Sequence, residues 1–551
     1  MTHFASLVRV LAGVTSMRRT VALASIFLLG TGPAAPARVN TQAATGSATF
    51  IVTGHGWGHG VGMAQYGAYG YAQKGTGYAK IVLHYFTGTE LGDAPISRVR
   101  VLLTSGAATL PLGSASDFRV KDATGAVHDV TAGKYTLTPA LKLKVDGEAT
   151  ARALPGPLLF QPGTSPLQLK RLYRGSIQLD VVNGKLRAIN FVGLEQYLYG
   201  VVPSEMPYTW HPEALKAQAV VARSYALATR RSGAFDLYPD TRSQVYLGLE
   251  HERPSTNAAV DATAGEVVLY QGQVAKTFFF SSSGGRTASA EDVWGEAVPY
   301  LVSVPDPYDT ISPYHTWGPF AYTGAKLAQM MKMKGRIVDV QPELNASGRI
   351  KTLNVVGTKG SVSIPGSSLR QRLGMRSTWF SVGVLSLSAP SSAVVYGSRA
   401  QLTGIARGLP SAVLQQLDGT AWKDLGAVKA AKDGAVAVTI KPPVTTRYRL
   451  ATGKVSAPPV RVPVASLVRF YAPRTPDQLR GYVRPLSLAG ATVLIQRQQG
   501  PGWVTAAQAT VAEDGTFLGK LQLTDGVYRA RVGSGHGYVA GTTPVLQVSN
   551  Q

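Results

Sequence analysis

The segment Gly54–Ala68 constrains the fold most, because six of its fifteen residues are glycine. Glycine tolerates positive φ angles and close backbone contact, so this density predicts a tightly shaped loop. The segment lacks the Gly-Lys-Ser/Thr ending of a phosphate loop and the spacing of a dinucleotide fingerprint. His55 and His59 are potential metal ligands, but no third ligand is evident nearby. We interpret the segment as a structural loop that lines a cleft.

The length of 551 residues predicts several domains, since single domains run to roughly 100 to 200 residues. Hydrophobic residues make up 45% of the chain and charged residues 16%, which is typical of folded proteins. The chain has no cysteine, which excludes disulfides, Cys-ligated zinc and a thiol nucleophile. Stability must therefore come from packing.

The amino-terminal residues 1–37 resemble a secretory signal peptide. Arg18 and Arg19 precede the apolar run Val21–Leu29, and Ala35-Pro36-Ala37 resembles a cleavage site. The run has about half of the roughly 20 residues that a membrane span needs, although a retained anchor is an alternative. Met17 is an alternative start. We expect a secreted protein without a stable transmembrane span.

The formal net charge of +24 favours polyanionic partners, and for an exported protein these include the bacterial wall and membrane surfaces. The basic residues are scattered along the chain and form no recognisable patch. A nucleic-acid partner is therefore not expected.

The remaining chain divides into a linker, one large module and two small ones. Residues 38–48 are a small-residue linker, and residues 49–384 contain strand-like runs together with at least one clear helix. Residues 386–464 and 465–551 each show short alternating strands between Gly, Pro, Ser and Asp turns. We predict an α+β, strand-rich catalytic domain followed by two small all-β domains of the Ig-like sandwich type. Wall binding and simple spacing are both open as roles for the small domains.

A helix is predicted from Pro212 to about Arg231, because proline suits a first helical position and the following stretch is rich in alanine. Apolar residues occur on most of its faces, so the helix should be largely buried. Gln218 and Arg223 would then be buried polar groups that need partners. Structural hydrogen bonding to neighbouring loops is the preferred explanation of both residues, and a binding role is the alternative.

Glu205 precedes this helix, between two prolines and beside Met206, Tyr208 and Trp210. Such neighbours can desolvate a carboxyl group and raise its pKa toward the range of a proton donor. A solvated or capping glutamate is the simpler alternative.

The strand-like run 278–280 leads into Ser281–Thr287, a polar turn. This turn could be an ordinary hairpin corner or the hydroxyl-rich wall of a sugar site. A serine nucleophile is not supported, because the nucleophile-elbow spacing is missing.

Taken together, these segments resemble the SpoIID/LytB family of stage II sporulation proteins D and amidase enhancers. The glycine loop is similar to the family motif GHGxGMSQxGA, with Ala64 in place of serine, and residues 197–225 are similar to YLxGVVxxEMP and ALKAQAVAARSYA. Residues 240–246 are similar to DTxxxQVY, residues 282–285 to SSGG, and the resemblance extends over roughly residues 50–384.

The resemblance implies a lytic transglycosylase that acts on peptidoglycan without a cofactor. The catalytic glutamate of the family falls on Glu205, which would act as both general acid and general base. The glycine loop would line the polysaccharide cleft. The residues implied in substrate binding are His59, Gln65, Gln218, Arg223, Asp240, Gln244, Tyr246, Ser282, Ser283 and Gly284. A hydrolase would usually need a second carboxylate, for which Asp240, Glu195 and Glu213 are available in the sequence.

Two departures from the family pattern matter. The glycine motif precedes the catalytic segment here, whereas in sporulation members it commonly follows it, so the loop must still reach the same cleft. Some members carry His-Cys in the DTxxCQVY segment and bind zinc there, whereas this chain has Arg242-Ser243. We therefore expect no zinc. A non-enzymatic wall protein that stimulates an amidase, and a scaffold or adhesion role centred on the β domains, are the alternatives.

Overall fold

The computed structural model describes residues 47–549. The predicted signal peptide and most of the predicted linker lie outside the described residues. Among the described residues, no helix is long and apolar enough to cross a membrane.

The chain forms eight α-helices within the described residues. They are α1 (Gln65–Gln73), α2 (Tyr78–Tyr85), α3 (Leu194–Glu205), α4 (Pro212–Ala228), α5 (Pro254–Asp261), α6 (Ala290–Trp294), α7 (Gly324–Met330) and α8 (Gly366–Leu373). Short 3₁₀ helices occur at Leu249–His251, Pro307–Ile311 and Leu486–Leu488.

Strands dominate the structure. The first eighteen are β1 (Ala48–His55), β2 (Met63–Ala64), β3 (Glu90–Asp93), β4 (Arg98–Ala107), β5 (Leu110–Ser114), β6 (Phe118–Lys121), β7 (Val127–Val130), β8 (Gly133–Leu137), β9 (Lys142–Leu143), β10 (Arg152–Ala153), β11 (Leu158–Gln161), β12 (Leu167–Gln168), β13 (Leu172–Tyr173), β14 (Ser176–Val182), β15 (Lys185–Gly193), β16 (Glu266–Tyr270), β17 (Gln273–Val274) and β18 (Phe279–Phe280). The others are β19 (Thr316–Thr323), β20 (Ile337–Leu344), β21 (Ile350–Gly357), β22 (Gly360–Pro365), β23 (Phe380–Ser388), β24 (Val394–Val395), β25 (Ala400–Arg407), β26 (Val413–Asp418), β27 (Ala421–Ala427), β28 (Ala435–Ile440), β29 (Thr446–Thr452), β30 (Val455–Ser456), β31 (Val460–Val462), β32 (Val464–Ala465), β33 (Leu467–Phe470), β34 (Gln478–Arg484), β35 (Thr492–Gln499), β36 (Gly502–Thr510), β37 (Thr516–Lys520), β38 (Gly526–Val532), β39 (Gly541–Thr542) and β40 (Leu546–Val548).

The described chain forms two compact units. The first contains residues 55–317 and 345–348, and the second contains the remaining described residues. Residues 318–344 and 349–384 therefore group with the two small β domains by compactness. The domain spans predicted from the sequence stay predictions.

The first unit is built on a six-stranded sheet in the order β4-β15-β14-β11-β6-β7. Strand β14 shows why the sequence folds this way, because its buried residues Ile177 and Leu179 alternate with more exposed ones. Of the strand-like runs in residues 49–384 of the sequence, those that begin at Val99, Ser176 and Glu266 lie in β4, β14 and β16.

Helix α4 is the central helix of the first unit. It begins at Pro212, and the side chain of His211 accepts a hydrogen bond from the backbone N–H of Glu213. Twelve of its seventeen residues are buried, which confirms the largely buried helix that the sequence predicts. It ends at Ala228, three residues before the predicted end near Arg231. At this end the Thr229 hydroxyl donates to the Tyr225 carbonyl at 2.7 Å.

The glycine loop packs directly on β18 and the turn that follows it. Gly56, Gly58 and Gly62 have φ angles of +68°, +127° and +78°. A Cβ atom at Gly62 would lie 2.1 Å from the Phe278 carbonyl oxygen, and one at Gly56 would lie 2.5 Å from that of Ser282. The loop is therefore shaped by positive φ and by close backbone contact, as its composition predicts.

The second unit contains two small β domains with separate cores. The core of the first lies between β23, β25 and β28 on one side and β26 and β29 on the other. The core of the second is formed by β33, β34 and β37 together with β35 and β38. The strand-rich α+β class with small β domains is confirmed, and the Ig-like topology stays a prediction.

Candidate active site

Glu205 is the last residue of α3, and Met206 after it is extended. The helix contains Pro203 and stops there, which places the Glu205 side chain at the helix end, where it is partly buried. Its carboxyl group accepts a hydrogen bond from the backbone N–H of Val245. The end of α3 and the segment 240–246 therefore meet at this carboxyl group.

Burial raises the pKa of Glu205 to about 7, and the hydrogen bond from Val245 offsets part of that effect. The negative charge of Glu205 in turn raises the pKa of Tyr197 and Tyr225, after the larger contribution of their own burial. The predicted direction of the Glu205 shift is confirmed. Near neutral pH the protonated and ionised forms of this side chain coexist, which suits a group that must first give and then take a proton.

Gln65 joins the glycine loop to Glu205 at the end of α3. It is the first residue of α1, and its Nε2 donates to the Glu205 carbonyl oxygen at 2.9 Å and to Gln218 Oε1 at 3.4 Å. The predicted motifs around Gln65, Glu205 and Gln218 thus converge although the glycine motif comes first in this chain.

Two further amide groups lie in this region. Gln218 and Gln244 are buried, and Gln244 Oε1 accepts a hydrogen bond from the Tyr197 hydroxyl at 3.3 Å. Within residues 47–549, neither Gln218 Nε2 nor Gln244 Nε2 has a hydrogen-bond partner. Unpaired buried donors are costly, so each of these two amide groups retains the capacity for one more hydrogen bond.

The turn Ser282–Gly284 is fastened to Asp309, a fully buried residue. Its carboxylate accepts from the Ser282 hydroxyl at 2.9 Å and from the backbone N–H groups of Ser283 and Gly284 at 2.9 and 2.8 Å. His315 Nδ1 lies 3.1 Å from the same carboxylate. These contacts hold the turn against the glycine loop, and ligand contact by Ser282, Ser283 and Gly284 stays a prediction.

Three other predicted binding residues form hydrogen bonds or ion pairs with side chains of the protein itself. Arg223 is fully buried and forms an ion pair with Glu195, with Nε at 3.0 Å from Oε1. Tyr246 is buried and donates to Asn190 Oδ1 at 2.9 Å. Asp240 pairs with Arg242 on the surface. The structure favours structural roles for Arg223 and Tyr246.

His59 lies in an aromatic cluster. Its Nδ1 accepts the backbone N–H of Val61 at 3.1 Å, and its ring centroid lies 5.4 Å from that of Phe280 and 5.5 Å from that of Trp294. Among residues 47–549, no group of three or more His, Asp or Glu side chains is arranged to hold a metal ion.

The turn that carries a zinc ligand pair in some family members is closed here by other contacts. The Arg242 guanidinium lies 3.8 Å from the Tyr238 ring centroid, and the Ser243 hydroxyl accepts the backbone N–H of Tyr238 at 3.1 Å. The two residues that replace His-Cys therefore fasten the segment by stacking and hydrogen bonding, and their donor atoms do not fit zinc.

A row of aromatic side chains near the contact between Gln65 and Glu205 is not evident from the sequence. Trp57 contacts Tyr314 with ring centroids 4.4 Å apart, Tyr314 lies 6.1 Å from Tyr66, and Tyr66 lies 4.8 Å from Trp210. Trp210 stacks on Tyr69 at 4.5 Å with an angle of 9°. We call these five residues the aromatic row. The i, i+3 spacing of Tyr66 and Tyr69 was a usable signal, but Tyr314 lies outside every motif.

An open groove continues from the end of the aromatic row. Its volume is about 540 Å³. Gly70 and His211 line it, and these residues follow Tyr69 and Trp210 in the chain. Its lining consists of Gly70, Gln73, Lys74, His211, Tyr308, Thr310 and Ile311. The row and the groove together provide an extended surface rather than a closed pocket.

Asp306 is a second buried carboxyl group that sequence reasoning missed. Burial raises its pKa to about 7, and the nearby charge of Asp309 adds to the effect. The Tyr85 hydroxyl and the Asp306 carboxyl both border Gly67, where a Cβ atom would lie 2.2 Å from each. Gly67 is thus required for the close approach of α1 to these groups.

Comparisons with known proteins give one family model and several relatives. The family model described as "Stage II sporulation protein" matches residues 182–270, which include Glu205. The stage II sporulation protein D of Bacillus subtilis (strain 168) is 31% identical over 229 residues, covering 37% of this chain and 64% of that protein. The amidase enhancer of the same organism is 42% identical over 113 residues, covering 20% and 15%.

An uncharacterized protein of Brachyspira hyodysenteriae is 44% identical over 136 residues, covering 24% of this chain and 37% of that protein. The chain thus spans less than two thirds of each of these relatives. The solved structure "Titin Ig tandem domains A164-A165" is 12% identical with a TM-score of 0.15, covering 30% of this chain and 94% of that one.

Proposed function

The chain is a member of the SpoIID/LytB family through its domain at residues 182–270, and we propose on that premise that it is a secreted peptidoglycan lytic transglycosylase. Its substrate would be the glycan strand, cleaved between N-acetylmuramic acid and N-acetylglucosamine. The observation that carries this proposal is a partly buried Glu205, poised near neutral pH where three sequence motifs meet.

The proposed reaction needs one carboxyl group. Protonated Glu205 donates its proton to the glycosidic oxygen as the bond to C1 of N-acetylmuramic acid breaks. The resulting carboxylate takes the proton of the C6 hydroxyl while O6 bonds to C1, which closes a 1,6-anhydro ring. No water is consumed, and Glu205 ends in its starting form.

The contacts of the three carboxylates that the sequence offers as a second catalytic group, Glu195, Asp240 and Glu213, support a mechanism with a single carboxyl group. Glu195 pairs with Arg223, Asp240 pairs with Arg242, and Glu213 pairs with Lys216 and accepts the backbone N–H of Tyr78. A hydrolase of the usual kind would need a second carboxylate free to activate water or to attack carbon.

The pH dependence of cleavage tests this role of Glu205. Because the proton donor must start protonated and its pKa is about 7, kcat/KM should be constant at lower pH and fall about tenfold per pH unit above neutrality. Rates on purified glycan strands between about pH 5 and 9, with folding verified by circular dichroism, provide the measurement. A profile that rises above neutral pH would contradict the assignment.

The aromatic row gives the proposal a route for the glycan strand. Aromatic side chains and a few placed polar groups are typical of sites that bind uncharged ligand surfaces. The row contains Tyr66, the chain neighbour of Gln65, whose amide donates to the Glu205 carbonyl oxygen. Binding energy from sugars remote from the cleaved bond would then contribute to turnover.

Substitution of Trp210 should reveal this contribution. We expect Trp210→Leu to lower kcat/KM on long strands about 10-fold, since a truncated aromatic anchor commonly costs more than 1 kcal/mol, and to affect the shortest cleavable strand much less. Tyr270→Leu is the matched control, because Tyr270 is a partly buried tyrosine outside the row that packs on Tyr300. Equal losses on all strand lengths would argue against the row as a binding surface.

A non-enzymatic role is the second candidate, because the matched Bacillus subtilis relative is named an amidase enhancer. Under this alternative the chain binds the wall and stimulates an N-acetylmuramoyl-L-alanine amidase. Stimulation that is unchanged in Glu205→Gln, together with an absence of glycan products from the wild type, would favour it.

A further inference from the structure

The two small β domains carry the same constellation of three side chains. In the first domain, Arg449 Nε donates to Gln415 Oε1 at 2.7 Å, and the guanidinium lies 4.0 Å from the Trp422 ring centroid. In the second, Arg529 Nε donates to Gln496 Oε1 at 2.8 Å. The Arg529 guanidinium lies 4.1 Å from the Trp503 ring centroid.

The repetition extends to the register of the strands. Gln415 pairs with Arg449 between β26 and β29, and Gln496 pairs with Arg529 between β35 and β38. Each glutamine follows an irregularity at the same point of its hairpin, between Leu414 and Gln415 and between Ile495 and Gln496. The similar sequences Thr446-Arg447-Tyr448-Arg449-Leu450 and Gly526-Val527-Tyr528-Arg529-Ala530 thus lie in corresponding strands of the two domains, and both domains keep the three side chains, which we call the triad.

The triads lie on the outer faces of their sheets. The neighbours of each arginine along its strand are core residues, namely Tyr448 and Leu450 in the first domain and Tyr528 and Ala530 in the second. Side chains alternate along a strand, so each guanidinium is on the side away from the core. Both arginines are nevertheless partly buried by their partners.

The guanidinium groups are held in position without an acidic partner. Stacking on the indole and the bond through Nε fix each plane, and within residues 47–549 neither arginine forms an ion pair. A fixed planar guanidinium presents its remaining N–H groups in a fork that matches the two oxygens of a carboxylate or phosphate. Burial lowers the pKa of both arginines, and the nearby charge of Arg531 adds to the effect at Arg529.

The charge of the domains is complementary to an anion. Residues 386–464 contain ten Lys or Arg against three Asp or Glu, and residues 465–549 contain eight against four. Two equivalent sites in one unit also favour a ligand with repeating groups, because the second contact is made at high effective concentration.

We propose that the Gln415–Arg449–Trp422 and Gln496–Arg529–Trp503 triads are paired receptor sites for the repeated oxyanions of an acidic polysaccharide. Each site binds one carboxylate or phosphate through a bidentate pair of hydrogen bonds, and the two sites together select a polymer over its monomer. This proposal is independent of the activity proposed for Glu205.

The experiment uses the full chain with alginate, a polyuronate, as the probe. In Arg449→Lys/Arg529→Lys the net charge is unchanged, but the stacked fork is lost, so we expect affinity for alginate at physiological salt to fall about 10-fold or more. Each single variant should lose less than the double variant. Arg447→Lys/Arg531→Lys changes exposed arginines of the same two strands and should bind like the wild type.

Additional probes separate the sources of the anion. Inorganic polyphosphate tests phosphate against carboxylate, and neutral dextran should not bind by the triads. Binding of alginate by the double Lys variant with wild-type affinity would overturn the proposal, because attraction by general positive charge would then explain it. Preferential loss for polyphosphate alone would assign the sites to phosphate, and equal binding of dextran would also overturn the proposal. Thermal melting of each variant shows that the β domains remain folded.

Discussion

Glu205→Gln should abolish the release of glycan products while leaving the fold intact. The amide preserves the size of the side chain but can neither donate the proton that the leaving oxygen requires nor take the proton of the C6 hydroxyl. Loss of a positioned acid and base commonly lowers rates by about 10²–10⁴-fold. Because one group performs both transfers in the proposed reaction, we expect a loss at the upper end of that range.

The matched control for this variant is Glu250→Gln, which removes the same charge from an exposed residue of the same unit. It should retain wild-type rates. Product release from Glu205→Gln at the wild-type rate would overturn the assignment of Glu205. Release that is lost in both variants would point to an effect of net charge on wall binding instead.

Asp309→Ala should cause a large loss of stability. The carboxylate accepts hydrogen bonds from the Ser282 hydroxyl and from the backbone N–H groups of Ser283 and Gly284, all of them buried. Removal of the acceptor leaves several buried donors unsatisfied, and each such group costs about 1–3 kcal/mol. We expect the free energy of unfolding to fall by about 3 kcal/mol or more.

The loss of Asp309 should also disturb the candidate active site, because the glycine loop packs on the turn Ser282–Gly284 that Asp309 holds. Trp57 of the aromatic row exchanges backbone hydrogen bonds with Ser282 at 2.7 and 3.1 Å. Urea unfolding measures the free energy of unfolding. Asp240→Ala is the control, because the Asp240 carboxylate pairs with Arg242 at the surface. Surface ion pairs contribute about 0–1 kcal/mol to stability. Equal stability of the two variants would show that Asp309 does not support the turn.

The sequence allowed the convergence of the motifs to be predicted. Gln65, Glu205 and Gln218 belong to separate motifs, and the structure joins them through hydrogen bonds of Gln65. The buried helix α4 also followed from local pattern, because its apolar residues and its first proline are encoded within it.

Other features depend on long-range packing that no local pattern reports. The partner of Arg223 is Glu195 on another helix, and the partner of the Ser282 turn is Asp309, which lies outside every motif. Tyr246 is a predicted binding residue of its motif, and no local pattern reports that its hydroxyl donates to Asn190 in the core. Local sequence supplies candidate side chains, whereas tertiary packing decides which of them face a ligand.

The products formed from purified glycan strands test the central claim most directly. Mass spectrometry distinguishes 1,6-anhydro ends, which are lighter by one water, from ordinary reducing ends. We predict anhydro ends from the wild type and none from Glu205→Gln. Ordinary reducing ends, or no products from the folded wild type, would contradict the proposed lytic transglycosylase.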